Sequence, residues 1–250
     1  MIDIKTPQEI TSMRAASRAV ARTLGLLKSL VKPGVSTAEL DRFAGRQLRE
    51  LGAEPAFLGY RGYPATLCVS INEEIVHGIP SEKRIVREGD IVSLDLGAIC
   101  EGFYGDAALT TGAGKISGEA RRLMEVTELS LARALAAVKP GARIGDVSSA
   151  VERCAAENGM SVVREFTGHG IGRRLHEEPS IPNFGRPGSG PVLKAGMTLA
   201  IEPMLCLGGP EIVIRNDGWT AVSADGSLAA HCEHTVAVTE NGFEILSSQG

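Results

Sequence analysis

The sequence predicts an α/β protein made of two related halves, in which one sheet is covered by one layer of helices. The string Val-Lys-Pro-Gly at residues 31–34 recurs at residues 138–141, an offset of 107 positions. In each half a pair of helical patterns precedes a set of strand patterns. A four-residue match alone has little weight, because such a string commonly ends a helix. The same offset holds without a gap for further pairs, which favours a duplication: Gly52 with Gly159, Gly89 with Gly196, and Asp95 with Glu202.

Two helices are predicted at the start of the first half. Residues 6–9 (Thr-Pro-Gln-Glu) read as a capping box with proline at the first helical position. Apolar residues follow at helical spacing until the Pro-Gly pair at 33–34 stops the helix. Residues 36–39 (Ser-Thr-Ala-Glu) form a second capping box, and the helix that they open is expected to end near Gly52.

The second half repeats this order. Apolar positions from Met124 to Val138 keep a helical face, the Pro-Gly pair at 140–141 ends it, and the next helix is expected to end near Gly159. Strands are predicted where β-branched and apolar residues cluster, at residues 65–71, 91–96, 161–166, 198–201, 211–214 and 235–238.

The chain is expected to form one domain over residues 1–250. No linker interrupts it, since the Gly- and Pro-rich residues 182–191 are few enough for a loop. The two repeats are predicted at approximately 6–112 and 113–246. A pseudo-twofold relation would bring equivalent residues of the halves to a shared site, so Asp95 and Glu202 are expected to face each other.

Composition excludes several classes of protein. The 250 residues are 43% hydrophobic and carry 26 Lys and Arg against 30 Asp and Glu, a net charge of −4, which excludes a disordered chain. The mild acidity argues against a nucleic-acid partner. No secretory signal and no apolar run of the ~18–20 residues needed to span a bilayer is visible. The five cysteines are scattered without a CxxC pair, so a reducing cytoplasm and no membrane association are expected.

Acidic residues interrupt otherwise apolar strand patterns. Asp95 lies within the predicted strand 91–96, and Glu202 directly follows the predicted strand 198–201. A single acid in a strand is more often surface-facing or salt-bridged. Several together indicate a metal site, because a buried carboxylate is costly unless it is paired or metal-bound. The other candidates are Asp106, beyond residues 102–105 that are expected to turn the chain back, Glu233, ahead of the last predicted strand, and His169, between two glycines.

Longer motifs resemble the type I, bacterial-type methionine aminopeptidases of the M24 metallopeptidase family. The resemblance covers nearly the whole chain, from the first helix to Glu244. It implies the pita-bread fold of that family, with two pseudo-twofold-related halves and a curved, mainly antiparallel sheet covered by helices. The matching segments are residues 59–64 (GYRGYP), 70–73 (SINE), 77–80 (HGIP), 89–92 (GDIV), 102–106 (GFYGD), 168–172 (GHGIG), 176–179 (HEEP), 201–204 (IEPM) and 233–235 (EHT).

The resemblance also implies a dinuclear metal centre. In the family two acids, here Asp106 and Glu233, bridge two metals, Asp95 completes one metal's ligands, and His169 with Glu202 complete the other's. Four ionised carboxylates balance two divalent cations, whereas without metal they would raise each other's pKa. Oxygen-rich ligation with one imidazole favours Mn, Fe or Co, and Zn stays open.

The resemblance further implies hydrolysis by a hydroxide that two metals share, directed at the carbonyl of an N-terminal methionine. Glu202 is expected to accept a proton as well as ligate. His77 and His176 are expected to bind substrate, His176 at the oxyanion and His77 at the scissile amide. From the residues alone, His77 as a loop residue capping backbone groups, and His176 as an ion-pair partner of Glu177 or Glu178, are equally open.

A pocket for the methionine side chain is implied as well. Aromatic rings and sulfur suit a thioether, although ordinary core packing stays open for Phe57 and Cys68. Two rim positions, Arg61 and Leu175, depart from the frequent His and aromatic residue of bacterial relatives, which affects fine specificity. Of the remaining histidines, His234 is expected behind Glu233 and His231 at the surface. The residues expected to line the pocket are Phe57, Tyr60, Tyr63, Cys68 and Trp219.

The implied substrate is a nascent protein or peptide with a free N-terminal methionine followed by a small residue, so the role is initiator methionine removal. A monomer is expected, and any transient ribosome contact would have to use the domain surface. An Xaa-Pro aminopeptidase or prolidase of the same fold is the nearest alternative, but those enzymes usually carry a large extra N-terminal domain. A non-catalytic binding scaffold of this fold is the other, and such proteins have typically lost metal ligands.

Overall fold

A computed structural model of the chain describes residues 2–248, in which a nine-stranded antiparallel sheet is packed against four helices. The predicted α/β class is confirmed. None of the helices within that range combines the length and apolar composition needed to cross a bilayer. The helices are α1 (Pro7–Leu30), α2 (Thr37–Glu50), α3 (Gly118–Ala136) and α4 (Ile144–Glu157), and a 3-10 turn spans Tyr60–Gly62.

The fifteen strands found between residues 2 and 248 form the large sheet and two small ones. The large sheet has the order β1-β4-β5-β14-β9-β7-β8, with β2 also on β4 and β15 also on β14; the small sheets are β13-β10-β6 and β11-β12-β3. The strands are β1 (Glu54–Pro55), β2 (Leu67–Ile71), β3 (Glu74–Val76), β4 (Ile91–Cys100), β5 (Phe103–Gly112), β6 (Ser161–Val162), β7 (Thr167–Gly170), β8 (Glu177–Pro182), β9 (Thr198–Ile201), β10 (Met204–Cys206), β11 (Ile212–Ile214), β12 (Ala221–Ser223), β13 (Ala229–His231), β14 (Glu233–Thr239) and β15 (Gly242–Ile245).

Helix ends agree with the capping signals. The Thr6 hydroxyl accepts from the backbone N–H of Glu9 at 3.3 Å, and the Glu9 carboxylate accepts from the backbone N–H of Thr6 at 2.7 Å. The same reciprocal pair joins Ser36 and Glu39. Because these bonds satisfy otherwise unpaired N–H groups, they set the first turn of each helix. The predicted capping boxes of α1 and α2 are therefore confirmed.

Some of the strand and turn positions predicted from the sequence differ from those in the structure. The prediction for residues 161–166 is wrong beyond Val162, because the side-chain amide of Asn183 donates to the backbone oxygens of Val163 and Phe166 at 3.3 and 3.4 Å and holds a bend there. The predicted turn at 102–105 is also misplaced. The chain reverses at Glu101 and Gly102, which both have positive φ, and the residues that follow them already belong to β5.

The two halves repeat the same local contacts at the 107-residue offset. An isolated bridge joins Ser36 to Ile85 in the first half, and its counterpart joins Arg143 to Val192 in the second. Gly34 and Gly141 both have φ near +90° and both donate a backbone hydrogen bond, to Val86 and Leu193. These equivalences support a duplication, while the repeat limits of 6–112 and 113–246 stay a prediction.

Each half has its own apolar core, and a third core lies between them. One cluster lies between α1, α2 and the strands β2, β4 and β5; a second lies between α3, α4 and strands of the second half. The third cluster contains Met13, Phe57 and Tyr63 from the first half and Ile171 and Leu175 from the second. At the junction β5 pairs with β14, so the sheet is continuous between the halves.

We expect Gly34→Ala to lower the free energy of unfolding by about 1–2 kcal/mol. The φ of +97° at Gly34 is a conformation that costs an L-residue this much, and no other atom lies within 4 Å of the added Cβ. Urea denaturation measures the change. Gly118→Ala is the matched control, since Gly118 begins α3 at an ordinary φ with equally open surroundings and should be neutral or stabilising by about 0.4–1 kcal/mol. An equal loss in both variants would contradict the explanation.

Candidate metal centre and active site

A cavity of about 130 Å³ opens between the two halves on one face of the large sheet. Every candidate metal-binding and substrate-binding residue predicted from the sequence lines it. Sequence positions more than one hundred residues apart are therefore brought together here. The lining residues are Phe57, Tyr60, Arg61, Tyr63, Cys68, His77, Asp95, Asp106, His169, Leu175, His176, Glu202, Trp219 and Glu233.

The register of the sheet places the acids on one face. Asp95 on β4 and Glu233 on β14 both pair with Ala108 of the β5 strand between them, so the two acids and this small residue form one row across three strands. Asp106 lies two residues before Ala108 and therefore points to the same side. Ala108 has only a methyl group, and the carboxylates of Asp95 and Glu233 both line the cavity.

The other two candidates reach the same face from the second half. His169 on β7 pairs with Ala200 of β9, and Ala200 pairs with Thr235, which lies two residues after Glu233. Glu202 lies two residues after Ala200, at the end of β9. The strand period of two therefore turns His169 and Glu202 toward the same cavity as the first-half acids. Asp95 and Glu202, predicted to face each other, both line it.

Burial changes the acid–base properties of this face. It raises the pKa of Asp95 to about 7. Burial, followed by the charges of neighbouring carboxylates, also raises the pKa of Asp106, Glu202 and Glu233 well above their ordinary values. Four carboxylates this close cannot all be charged unless positive charge is placed among them.

The donor atoms fit a divalent metal. Three buried carboxylate oxygens, on Asp95, Asp106 and Glu233, have no hydrogen-bond partner among residues 2–248. Asp106, His169 and Glu233 each offer a ligand atom, and these atoms lie within 4.8 Å of one another. Oxygen ligands with one imidazole match Mn, Fe, Co or Zn. Asp95 and Glu202 lie in the same cavity, beyond this tightest group.

His169 is oriented for ligation by its second nitrogen. Its Nδ1 lies 2.8 Å from the carbonyl oxygen of Gly170, which can only accept, so Nδ1 carries the proton. Burial lowers the pKa of His169 to about 3, so the ring is neutral and Nε2 has a free lone pair. That Nε2 lies 3.6 Å from Oε1 of Glu202. Two acceptors facing each other at this distance are stabilised by a cation, as in a metal site with an oriented histidine.

His77 and His176 lie beside the acids. The His176 ring lies 4.1 Å from that of His169 between centroids, and its Nδ1 lies 2.9 Å from the hydroxyl of Tyr60. Partial burial and then the Arg61 guanidinium lower the pKa of His176. Glu177 does not pair with His176, because its carboxylate lies 2.6 Å from Nζ of Lys5. The ion-pair alternative with Glu177 is therefore wrong.

His77 has a φ of +62° and packs edge-on against Phe166 and Trp219, with centroids 5.2 and 6.2 Å away. Burial, followed by His176, lowers the pKa of His77 to about 4, so the ring is neutral near pH 7. This neutral imidazole, held between aromatic rings, lines the cavity.

The aromatic side of the cavity is held rigidly. The single O–H of the buried Tyr63 is shared between the backbone oxygens of Leu67 and Gly78, which lie 3.2 and 3.1 Å from the hydroxyl oxygen, and the ring meets Trp219 edge-on at 5.1 Å. Gly97, opposite Asp106, leaves room for Phe57, since a Cβ there would lie 2.5 Å from the Phe57 ring. The result is a firm apolar wall beside the acidic face.

The expectation that His231 lies at the surface is wrong. Its relative exposure is 1%, and its Nε2 lies 3.7 Å from Oε2 of Glu202. The residue before His231, Ala230, belongs to the apolar core that contains the buried residues of α3, whereas the His231 ring is directed to the acidic face. The apolar run that leads into β14, Leu228 to Cys232, was the available sequence signal for this burial.

The two residues that follow Glu233 on β14 make hydrogen bonds with different parts of the chain. His234 lies on the other face of β14 from Glu233, where its Nδ1 is 2.8 Å from the Ser247 hydroxyl. The Thr235 hydroxyl accepts from the backbone N–H of Asp106 at 3.0 Å and donates to its carbonyl oxygen at 2.7 Å. This contact fixes β5 against β14 beside a ligand. The spacing of residues in the sequence could not predict this pair of hydrogen bonds, because Asp106 and Thr235 are 129 positions apart.

Comparison with known proteins identifies the family. The sequence profile of Metallopeptidase family M24 matches residues 11–240. Methionine aminopeptidase 1 of Bacillus subtilis is 49% identical over 247 residues, which cover 99% of this chain and 99% of that protein. Methionine aminopeptidase from Thermotoga maritima has a TM-score of 0.98 at 47% identity, covering 99% of this chain and 100% of that one. Prolidase from Pyrococcus furiosus has a TM-score of 0.81 at 25% identity, and the match covers 99% of this chain and 66% of the prolidase chain. The expected pita-bread fold is confirmed.

We expect chelator-treated protein to bind Mn²⁺ with a rise in melting temperature, because a cation that binds the native state stabilises it. Asp106→Asn should lower the Mn²⁺ affinity by roughly 10–100-fold or more, the range found for groups that support a metal site. Isothermal titration calorimetry measures both affinity and stoichiometry. The control is Glu50→Gln, an exposed carboxylate at the end of α2 that should leave the affinity unchanged. Equal affinity of all three proteins would contradict the assignment of the metal centre.

Proposed function

The chain belongs to Metallopeptidase family M24, and from that premise we propose that it removes N-terminal methionine with the residues that line the central cavity. The observation that carries the proposal is the placement of five metal-binding side chains from both halves beside a rigid aromatic pocket. The acids supply a hydrolytic centre, and the aromatic wall supplies an apolar site for a thioether side chain. The full-length relatives are named for this activity.

The metal-binding residues proposed are those of the acidic face. Two divalent cations held by these side chains would balance the four carboxylates. When bound, such ions polarise the scissile carbonyl and lower the pKa of water toward ~7, so that a nucleophile is available at neutral pH. Co, Mn, Fe and Zn each suit this ligand set. The five residues are Asp95, Asp106, His169, Glu202 and Glu233.

Glu202 is the proposed proton carrier. Its side chain is 14% exposed and borders the cavity, so it can accept a proton from the attacking water and return it to the leaving amine. Its two oxygens face different imidazoles, those of His169 and His231, at 3.6 and 3.7 Å.

His176 is the proposed donor to the oxyanion. A neutral imidazole has one N–H, so its tautomer decides whether it can donate toward the substrate. When the Tyr60 hydroxyl donates to Nδ1 of His176, the proton must be on Nε2. Tyr60 therefore keeps the second nitrogen of His176 as the donor that a tetrahedral intermediate needs.

The methionine side chain is proposed to lie against Phe57, Tyr60, Tyr63, Cys68 and Trp219, with His77 beside the scissile amide. The cavity volume of about 130 Å³ is small beside the ~300–1,000 Å³ of sites for larger ligands. Little room remains for a long side chain after the methionine, which supports a preference for small second residues.

The alternatives have less support. Prolidase shares the fold, yet this chain covers only two thirds of that protein's length and its identity with it is far lower than with the aminopeptidases. A non-catalytic scaffold would have no need for a complete acidic face. The enzyme acts on peptides and proteins. We further propose that it acts as a cytoplasmic monomer on nascent chains, with any ribosome contact made by its outer surface.

We expect His176→Ala to lower kcat for Met-Ala-Ser by roughly 10²–10³-fold, the loss typical of one oxyanion donor. Mn²⁺ affinity should stay within threefold of wild type, because His176 is not among the proposed ligands. Stopped-time peptide assays and calorimetry give the two values. An unchanged kcat would remove the proposed role, and a parallel loss of metal would make His176 a ligand instead.

We expect a peptide beginning Met-Gly to be cleaved with a kcat/KM at least roughly tenfold above that of a peptide beginning Met-Lys. The long lysine side chain would fit poorly at the crowded rim of the cavity, and a loss of ~1.4 kcal/mol in transition-state stabilisation lowers kcat/KM about tenfold. Ala-Pro peptides are the control and should not be cleaved. Chromatography of the released amino acid measures all three. Equal rates for Met-Gly and Met-Lys would contradict the specificity, and preferred cleavage of Ala-Pro would favour the prolidase alternative.

A further inference from the structure

His231 has no assigned role in the proposed mechanism, yet its ring reaches the acidic face. The side chain is 2% exposed, and its Nε2 lies 3.7 Å from Oε2 of Glu202. Neither ring nitrogen has a hydrogen-bond partner within the part of the chain that the structure describes. A buried polar group without a partner is costly, so it needs a specific explanation.

The backbone of His231 is held firmly. The Thr110 hydroxyl accepts from the backbone N–H of His231 at 3.0 Å and donates to its carbonyl oxygen at 2.7 Å. Thr110 is itself 2.8 Å from the Ser93 hydroxyl, and His231 pairs with Met204 across β10. The first-half strand β5 and the second-half strand β10 therefore hold the backbone from which this imidazole extends.

The two imidazoles beside Glu202 differ in what they can do. His169 gives its only N–H to Gly170, so its Nε2 can only accept. His231 has no such constraint, and Nε2 is free to carry a proton toward the carboxylate. A carboxylate accepts only, so of these two rings His231 alone can donate to it.

We propose that His231 is a positioning residue, whose Nε2–H donates to Oε2 of Glu202 and leaves Oε1 turned toward His169, where it would be available to a metal ion. Closing the gap from 3.7 Å to the ~2.8 Å of a charge-assisted bond needs a movement of about 1 Å, which the broad terminal torsion of a glutamate permits. This inference rests on the proposed function only in treating Glu202 as a ligand. Partners that orient ligands in this way typically affect metal affinity by 10–100-fold.

The test compares His231→Leu, which has no donor, with His231→Gln, which keeps an N–H of similar reach. Mn²⁺ titration of chelator-treated proteins should show a roughly 10–100-fold loss for the leucine variant and a value within threefold of wild type for the glutamine variant. Cys232→Ala is the control. The Cys232 side chain points away to the Thr127 backbone on α3, so its loss should lower stability without changing Mn²⁺ affinity.

Equal Mn²⁺ affinity of the leucine variant and wild type would overturn the proposal, as would an equal loss in the leucine and glutamine variants. Where the leucine variant does not fold, ¹⁵N histidine spectra of the intact wild-type protein decide: an Nε2–H tautomer of His231 is expected, and an Nδ1–H tautomer overturns it. Failure of the proposed function has a different signature, which is Mn²⁺ binding by the wild type with no cleavage of methionine peptides.

Discussion

Four carboxylates lie in one cavity, and the rest of the structure has to offset the free energy that it costs to bury them together. They belong to Asp95, Asp106, Glu202 and Glu233. Each charge loses solvation when the halves close over it, and each raises the pKa of its neighbours. Divalent cations remove this cost by supplying equal and opposite charge. The apolar cores on either side hold the strands that carry these acids, so the four carboxyl groups stay close together whether they are protonated or balanced by cations.

The organisation in two halves holds the strands that carry the acids in fixed positions. Each half has its own core under its own pair of helices, and the halves meet where β5 pairs with β14. The row of Asp95, Ala108 and Glu233 crosses this junction, so the metal centre lies where both halves contribute strands. A single half would supply only part of the ligand set and would leave its open sheet edge unpaired.

Hydrogen bonds outside the ligand set orient the reactive groups. The Gly170 carbonyl oxygen fixes the tautomer of His169, and the Tyr60 hydroxyl lies 2.9 Å from Nδ1 of His176 and holds that ring in place. Thr235 fixes the backbone of Asp106 between β5 and β14. Each of these contacts uses a neutral donor or acceptor, so orientation is achieved without adding charge to an already acidic cavity.

The sequence alone predicted the starts of α1 and α2, the approximate C-terminal ends of the helices and the internal repeat, and with the family resemblance it predicted every residue that lines the cavity. Capping boxes and Pro-Gly stops act within about four residues, so Thr6, Ser36 and Gly34 contain that information locally. Tertiary structure decided what depends on distant partners. Three examples are the burial of His231, the hydrogen bonds between Thr235 and Asp106, and the bend at Val163. Each requires a group distant in sequence, so it contributes to stability only when the two segments that it joins are already folded.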